Sequence, residues 1–443
     1  MEAGHAYDTG SFIFITSTTI LVLAYAFIIS ERVNRAVLAL LGAGFMVTLG
    51  VINQEQAYEG VDWNTIFLLC GMMMLVGVTR RCGVFQYVAI LAAKIARANP
   101  GGMIALLSIV TAVFSALLDN VTTVLLVVPV TLAICSELRV PAYPFLFTEI
   151  LASNIGGTAT LIGDPPNILI GSAVGLSFMD FVYALAPVVV VILIVQMGIN
   201  HVIWGRRLRA KPEDRARVLA MDENKAITDY VLLVKSLIVL TGVIFAFALA
   251  HTLGLEPGTI AMFGAAILLL LDNIGRPIDA QAESVTEVFH EVEWITLFFF
   301  VGLFIIVTGV EHAGLLQLLA DEMLSLTDGD MRVTALAILW SSAVLSAIVD
   351  NIPFVATMIP LIENLGPAMG GKDALMPLWW SLSLGACLGG NGSLIGASAN
   401  LTVAGIAERN GVPFRFVTFF LYAFPMMILS ILIAHVYVEL VIL

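Results

Sequence analysis

The sequence predicts an all-α polytopic membrane protein made of two inverted-topology repeats, each with a re-entrant helical hairpin and an interrupted transmembrane helix. Three observations predict it. Hydrophobic residues make up 60% of the 443-residue chain and charged residues 12%, far from a soluble globular average. The apolar residues fall in long runs, such as 11–29, 180–203, 229–250 and 414–434, matching the roughly 20 residues a helix needs to cross a bilayer. The chain also repeats itself. DWNTIFLLCGMMMLVGVTRRCGVFQYVA (62–89) aligns with EWITLFFFVGLFIIVTGVEHAGLLQLLA (293–320), pairing Gly71 with Gly302 and Gly83 with Gly314.

The elements follow in order. Helix 1 (11–30) is preceded by the weakly acidic MEAGHAYDTG and lacks a basic n-region, so it reads as a retained helix and not a cleaved signal. Lys and Arg set orientation. With the N-terminus outside, helix 1 delivers Arg32 and Arg35 inside, and helix 2 (35–52) returns to the acidic NQEQAYEGVD. Helix 3 (63–79) brings Arg80 and Arg81 inside, before a short interfacial helix with Lys94 and Arg97. Segment 103–136 is broken by Asp119-Asn120, and its halves of about 16 residues are short for a span. It reads as a hairpin that enters and leaves on the inside. Helix 143–176 is interrupted at GGTATLIGDPPN, and helix 180–203 returns to the basic RRLRAKPEDRAR.

The N-terminal repeat is thus 11–204, followed by a cytoplasmic loop, 205–226, and a C-terminal repeat, 227–443. In the second repeat, helices 229–250, 257–272 and 294–310 precede an acidic interfacial stretch, DEMLSLTDGD. A hairpin (333–365) then enters from outside, an interrupted helix (375–409) follows, and helix 414–439 ends outside. Only Arg332 and Lys372 fall on the outer side, which makes the halves inverted repeats, the usual architecture of secondary transporters. The expected location is the cell (inner) membrane, multi-pass, with both termini outside.

Polar backbone at membrane depth survives only inside protein or along a water-filled cavity. The two hairpin tips and two helix breaks are four such places. LLDNVTTVLLVVP (117–129) and AIVDNIPFVATMIP (347–360) carry Asp119-Asn120 and Asp350-Asn351 at matching positions. Intramembrane carboxylates are rare and costly, so Asp119 and Asp350 are candidate proton or cation sites; the alternative is that each caps the half-helix after it. Gly156, Gly157, Gly389 and Gly390 permit unwinding, and Pro165 and Pro166 keep the first helix from closing over its break. Thr158, Thr160 and Asn167 supply polar groups on one side, and Asn391, Ser393, Ser398 and Asn400 on the other. Asp164 aligns with Ala397, an asymmetry that makes it a third candidate coupling site or a turn residue beside Pro-Pro. Glu149 and Lys235 read as snorkelling near helix starts, and His251 and His435 as interfacial. Met72, Met73 and Met74 read as packing. Cys70, Cys82, Cys135 and Cys387 form no CxxC pair, so they read as small buried residues.

LLDNVTTVLLVVP, NIGGTATLIGDPPN, IVDNIPFVATMIP and GGNGSLIGASAN together resemble the ion-transporter superfamily, in particular its arsenite-efflux (ArsB-type) and pink-eyed-dilution-protein branch. The resemblance runs from about residue 11 to 440. It implies a scaffold and a mobile transport part, with binding sites at the hairpin tips and unwound helices. Carried onto this chain, those are Asp119, Asn120, Thr122, Asp350 and Asn351, with Thr158, Thr160, Asn391 and Ser393. Relatives move arsenite, sodium against protons, or dicarboxylates with sodium. The Ser-Asn-Thr hairpin signature of the dicarboxylate relatives is absent here, since both tips read Asp-Asn. Many relatives are dimers, so a homodimer is a further implication.

The leading expectation is proton-coupled efflux of arsenite or antimonite, and the alternatives are a sodium–proton antiporter or a transporter of another small anion. The expected partners are a small inorganic solute, protons or sodium, and the lipid bilayer, with no nucleic acid. The chain has no GxxxxGK[ST] stretch, so an ATPase would be a separate subunit. No cofactor, metal site or enzyme chemistry is expected, because no nucleophile–base or ligand pattern appears.

Overall fold

The computed structural model describes residues 10–30 and 32–443; most of the N-terminal stretch expected outside lies beyond them. The described chain is all helical. By length and composition, nine of its helices can cross a membrane. The first half runs α1 (Phe12–Ser30), α2 (Arg35–Thr48), α3 (Gln54–Glu59), α4 (Trp63–Arg80), α5 (Val84–Ile95), α6 (Pro100–Leu117), α7 (Asn120–Leu138), α8 (Tyr143–Gly157), α9 (Pro165–Val174) and α10 (Phe178–Asn200). A linker carries α11 (Pro212–Leu219). The second half runs α12 (Tyr230–Ala248), α13 (Ala250–Leu253), α14 (Pro257–Asn273), α15 (Ile278–Glu291), α16 (Trp294–His312), α17 (Leu315–Thr327), α18 (Met331–Ile348), α19 (Asn351–Leu365), α20 (Met376–Gly389), α21 (Ser398–Arg409) and α22 (Phe416–Tyr437).

Local chemistry accounts for many of the boundaries. Asp62 accepts a hydrogen bond from the Thr65 amide and caps α4; Asp229 does the same for α12 through Leu232, and Asp330 for α18 through Val333. These caps satisfy N–H groups a helix start leaves free. Gly83 and Gly314 open α5 and α17 at φ +80 and +85, a left-handed turn that glycine adopts without a Cβ clash.

The halves interlock. Helix α4 packs along α14, and α16 packs along α2, so each half lays a helix on the other. A Cβ on Gly71 would sit 2.6 Å from the Ala261 carbonyl carbon, and one on Gly302 2.5 Å from that of Ala39. Backbone-to-backbone approach of this kind is how helices associate where lipid offers no hydrophobic drive. Helices α1, α2, α4, α12, α14 and α16 form one packing group. In the other, α6 lies on α8 and α18 on α20.

Three expectations are corrected. Three of the four hairpin helices exceed the expected length of about 16 residues: α6 and α18 have 18 each and α7 has 19, while α19 has 15. The first-arm starts lie before 103 and 333 because Asn99 and Asp330 cap them. Glu149 does not snorkel. It lies on α8, fully buried, and accepts a 2.5 Å bond from the Thr131 hydroxyl of α7, because α8 is surrounded by protein along its length. Segment 205–226, expected as a loop, carries the short helix α11 and is tied down by side chains. Arg217 bonds Asp214 and Glu137, Arg215 donates to the Arg97 carbonyl, and Lys94 pairs with Glu223 at 2.5 Å.

That last pair predicts a pH response. The hydrogen bond from Lys94 holds the Glu223 carboxyl below its ordinary value, so the clip is intact above the usual glutamate range and weakens as pH falls through the lowered value. Hydrogen exchange in 205–226, corrected for intrinsic rate, should rise only once the pH has fallen past the usual glutamate range. In Lys94→Ala it should already be raised at neutral pH, with little further change.

Candidate functional site

The four chain breaks converge. Helix α6 ends at Leu117 and α7 begins at Asn120, with Asp119 as its cap; the Asp119 carboxylate accepts from the Thr122 amide at 2.8 Å and from the Thr122 hydroxyl. Helix α18 ends at Ile348, and Asp350 caps α19 through the Ile352 amide. Helix α8 stops at Gly157 and the chain resumes helix only at Pro165, with Asp164 just before it. Helix α20 stops at Gly389, and α21 starts at Ser398.

Glycine makes this crossing possible. A Cβ on Gly156 would lie 2.2 Å from the Ala112 carbonyl oxygen, and one on Gly389 2.6 Å from that of Ala343. Each broken helix therefore lies tight against a hairpin arm.

The predicted residues fall into two groups. Asp119, Asn120, Asp164 and Asn351 line one small cavity, about 20 Å³, with Arg35, Leu69, Met73, Glu293, Thr296 and Ser398. That is room for about one water. Asn351 donates to Asp164 Oδ1 at 3.3 Å. The other oxygen, Asp164 Oδ2, and Asn120 Oδ1 are buried with no hydrogen-bond partner. Among the described residues neither Asp119 nor Asp164 has a cation within ion-pair distance.

The second group holds the breaks in shape. Asn167 donates to the carbonyls of Thr158 and Thr160 at 3.1 and 2.9 Å, and Asn400 to those of Gly390 and Ser393 at 2.8 Å each. The Thr160 hydroxyl donates to the Ala116 carbonyl at 2.5 Å, and the Ser393 hydroxyl to Ala347 at 2.6 Å. Thr158 bonds the Asn154 carbonyl at 2.7 Å. Asn154 itself links the halves: it accepts from Asn120 at 3.0 Å and donates to Asn391 and Asn400 at 3.0 and 2.9 Å. Asn167 is joined across the interface by Ser383, which donates to its Oδ1 at 2.6 Å.

Several residues of the site were not in the sequence-derived set, Glu293, Thr296 and Ser383 among them, and two matter most. Asn154 sat inside the quoted NIGGTATLIGDPPN but was given no role. Arg35 was read only as a topology signal, yet its guanidinium reaches Asp350 at 2.9 Å and Ser398 at 2.7 Å. A charged residue that begins an apolar helix and is followed by no second charge for the length of that helix was the available signal.

Two larger openings are present, the first of them sharing Arg35, Val121, Glu293 and Ser398 with the cavity. One, about 330 Å³, is lined by Ile28, Asn34, Arg35, Glu293, Asp350 and Ser398, and touches both tips through Val121 and Asp350. The other, about 540 Å³, involves Asp62, Asn64, Ser172, His251 and Glu256. It includes neither tip.

Paired broken helices meeting at a polar cavity within an apolar bundle define a membrane transporter. The chain belongs to the citrate transporter family, whose profile matches residues 25–385. It is 44% identical over 427 residues to an uncharacterized transporter of Mycobacterium tuberculosis, covering 96% of this chain and 97% of that protein. It is 35% identical to the P protein of Homo sapiens over 512 aligned positions, covering 95% of this chain and 60% of that protein. The match bears out the resemblance to the pink-eyed-dilution branch. The crystal structure of the YdaH transporter of Alcanivorax borkumensis, described as having an unusual topology, shares the fold with a TM-score of 0.59 at 13% identity. That alignment covers 96% of this chain and 98% of YdaH. The chain is a transporter and not an enzyme.

Proposed function

We propose that the chain is a secondary active transporter that exchanges protons for a small hydroxylated solute, arsenite or antimonite, and expels it across the inner membrane. One observation carries this. Two of the residues lining the cavity with Asp119 each carry a buried acceptor oxygen without a hydrogen-bond partner among the described residues, Asp164 Oδ2 and Asn120 Oδ1. Unmet acceptors call for a ligand that brings hydrogen-bond donors or positive charge. Arsenous acid, mostly an uncharged trihydroxide near neutral pH, brings hydroxyl donors. A proton on either aspartate fills the same need in its absence, so the two compete.

A carboxylate solute suits the cavity poorly. It brings acceptors, and Arg35, the cation at its wall, is already bonded to Asp350. Sodium–proton exchange is the second reading, favoured by a cavity of only about 20 Å³. Alternating access fits the openings: the one beside Arg35 reaches both tips, and the one beside Asp62 stops short. Inverted repeats with both termini outside would make the two openings face opposite sides of the membrane.

Inside-out vesicles carrying the protein test the reading. Arsenite should accumulate when a proton gradient is imposed, with no response to added sodium. Absence of arsenite movement, with proton release on adding sodium, would move the assignment to sodium–proton exchange.

A further inference from the structure

The two tips are related by the repeat, but their surroundings differ in one respect. At the first tip, Asp119 shares a cavity with Asp164 and Arg35, and among the described residues it has no cation within ion-pair distance. At the second, Ala397 stands where Asp164 stood, and Asp350 holds Arg35. The interlock gives the register for Arg35. Gly302 meets Ala39 and Gly71 meets Ala261, so Arg35, the first residue of α2, corresponds to Pro257, the first of α14. The first tip therefore has two carboxylates and no ion-paired cation, and the second has Asp350 ion-paired to an arginine lent by the first half, with Glu293 reached through Thr296.

The guanidinium is held by oxygen atoms. Arg35 Nη1 donates to Asp350 Oδ2 at 2.9 Å and to Ser398 Oγ at 2.7 Å, and Nη2 donates to Thr296 Oγ1 at 3.3 Å. Ser398 also donates to Asp350 at 2.9 Å, and Thr296 donates to Glu293 at 3.0 Å. The Phe299 ring lies 5.1 Å from the guanidinium carbon, in cation–π range. A carboxylate with two hydroxyls is the kind of oxygen set that also suits a hard cation.

We propose that Arg35 is a resident cation: its side chain fills the second of two related cation sites, leaving Asp119 and Asp164 as the only coupling site. The coupling half of this statement rests on the proposed function. The occupancy half does not. Arg35→Gln empties the second site while leaving its oxygens in place, turning it into a site for an exchangeable monovalent cation.

Thermal melting of the purified full chain in sodium, lithium and choline chlorides at equal ionic strength reads occupancy directly, whatever the solute. Arg35→Gln should melt lower than the wild type in choline and recover by several degrees in sodium or lithium, beyond any wild-type response. The double variant Arg35→Gln/Asp350→Asn should lose that extra recovery. An Arg35→Gln protein whose melting ignores the cation would overturn the proposal. If Arg35→Gln yields no folded protein, Arg35→Lys and the double variant decide. Folding of both marks an uncompensated Asp350 as the fault and supports the proposal; failure of both makes Arg35 a packing post and refutes it. Arsenite transport enters none of these readings, so its failure would leave them standing.

Discussion

Under the proposed proton coupling, Asp164→Asn should cut solute transport by about two orders of magnitude, the scale of removing a proton-transfer group, and leave the fold intact. Asparagine is nearly isosteric, and its carbonyl can still accept the Asn351 bond that Asp164 Oδ1 accepts now. What it lacks is a group that binds and releases a proton. Asp119→Asn should behave alike, since asparagine is also a good helix cap and can keep the Thr122 amide bond. Solute flux in proteoliposomes across a pH series, paired with a melting curve for each variant, separates chemistry from folding. A wild-type pH profile in both variants would remove the aspartates from the mechanism. Loss of folded protein would leave capping as their role.

The second large effect is on stability. Asn154→Ala removes one side chain but strands three others: the Asn120 amide, Asn391 Oδ1 and Asn400 Oδ1. Each stranded group costs about 1 kcal/mol when buried in protein inside a membrane, so the variant should lose about 3 kcal/mol. Because Asn154 joins the breaks of both halves, the loss should appear as one shifted transition in a detergent melt. A change under about 0.5 kcal/mol would mean that water or a repacked neighbour fills the gap.

Much of the architecture was legible because membrane helices advertise themselves. An apolar run must be about as long as the bilayer is thick, and bounds such as 143–176 and 375–409 lie within a few residues of the observed pairs α8–α9 and α20–α21. The tips were legible for a related reason, since Asp-Asn inside an apolar run reads as a helix cap or as a functional carboxylate, and either one places a chain break there. Residues defined by a distant partner were not. Arg35 looks like an ordinary flanking charge until α2 is laid against α16 and its side chain is seen at Asp350, 315 positions away. Glu149 looks exposed until α7 covers it with Thr131. Asn154 resembles any polar residue near a helix end, and only the meeting of α8 with the second break shows why an amide is needed there. Helix α15 was missed because its charges and short length resemble a loop. In the structure it is pinned through Ser284, which donates to Asp272 at 3.1 Å, and Asp272 itself ion-pairs with Arg276 at 2.6 Å and Arg81 at 3.5 Å.

The hydrogen bonds that shape each break belong to the same packing group as the break: Asn167 and Asn400 tie their own loops, and Asn154 ties the loops together. Between that group and the one containing α2, α4, α14 and α16, side-chain bonds near the cavity are few. The Tyr25 hydroxyl donates to the Pro353 carbonyl at 2.7 Å, Asn64 donates to Ser172 at 2.9 Å, and Arg35 holds Asp350 and Ser398. Sliding one group over the other would part the chamber itself, since Asp119, Asn120, Asp164 and Asn351 ride with one body and Arg35, Leu69, Met73 and Thr296 with the other, with only a few catches to release.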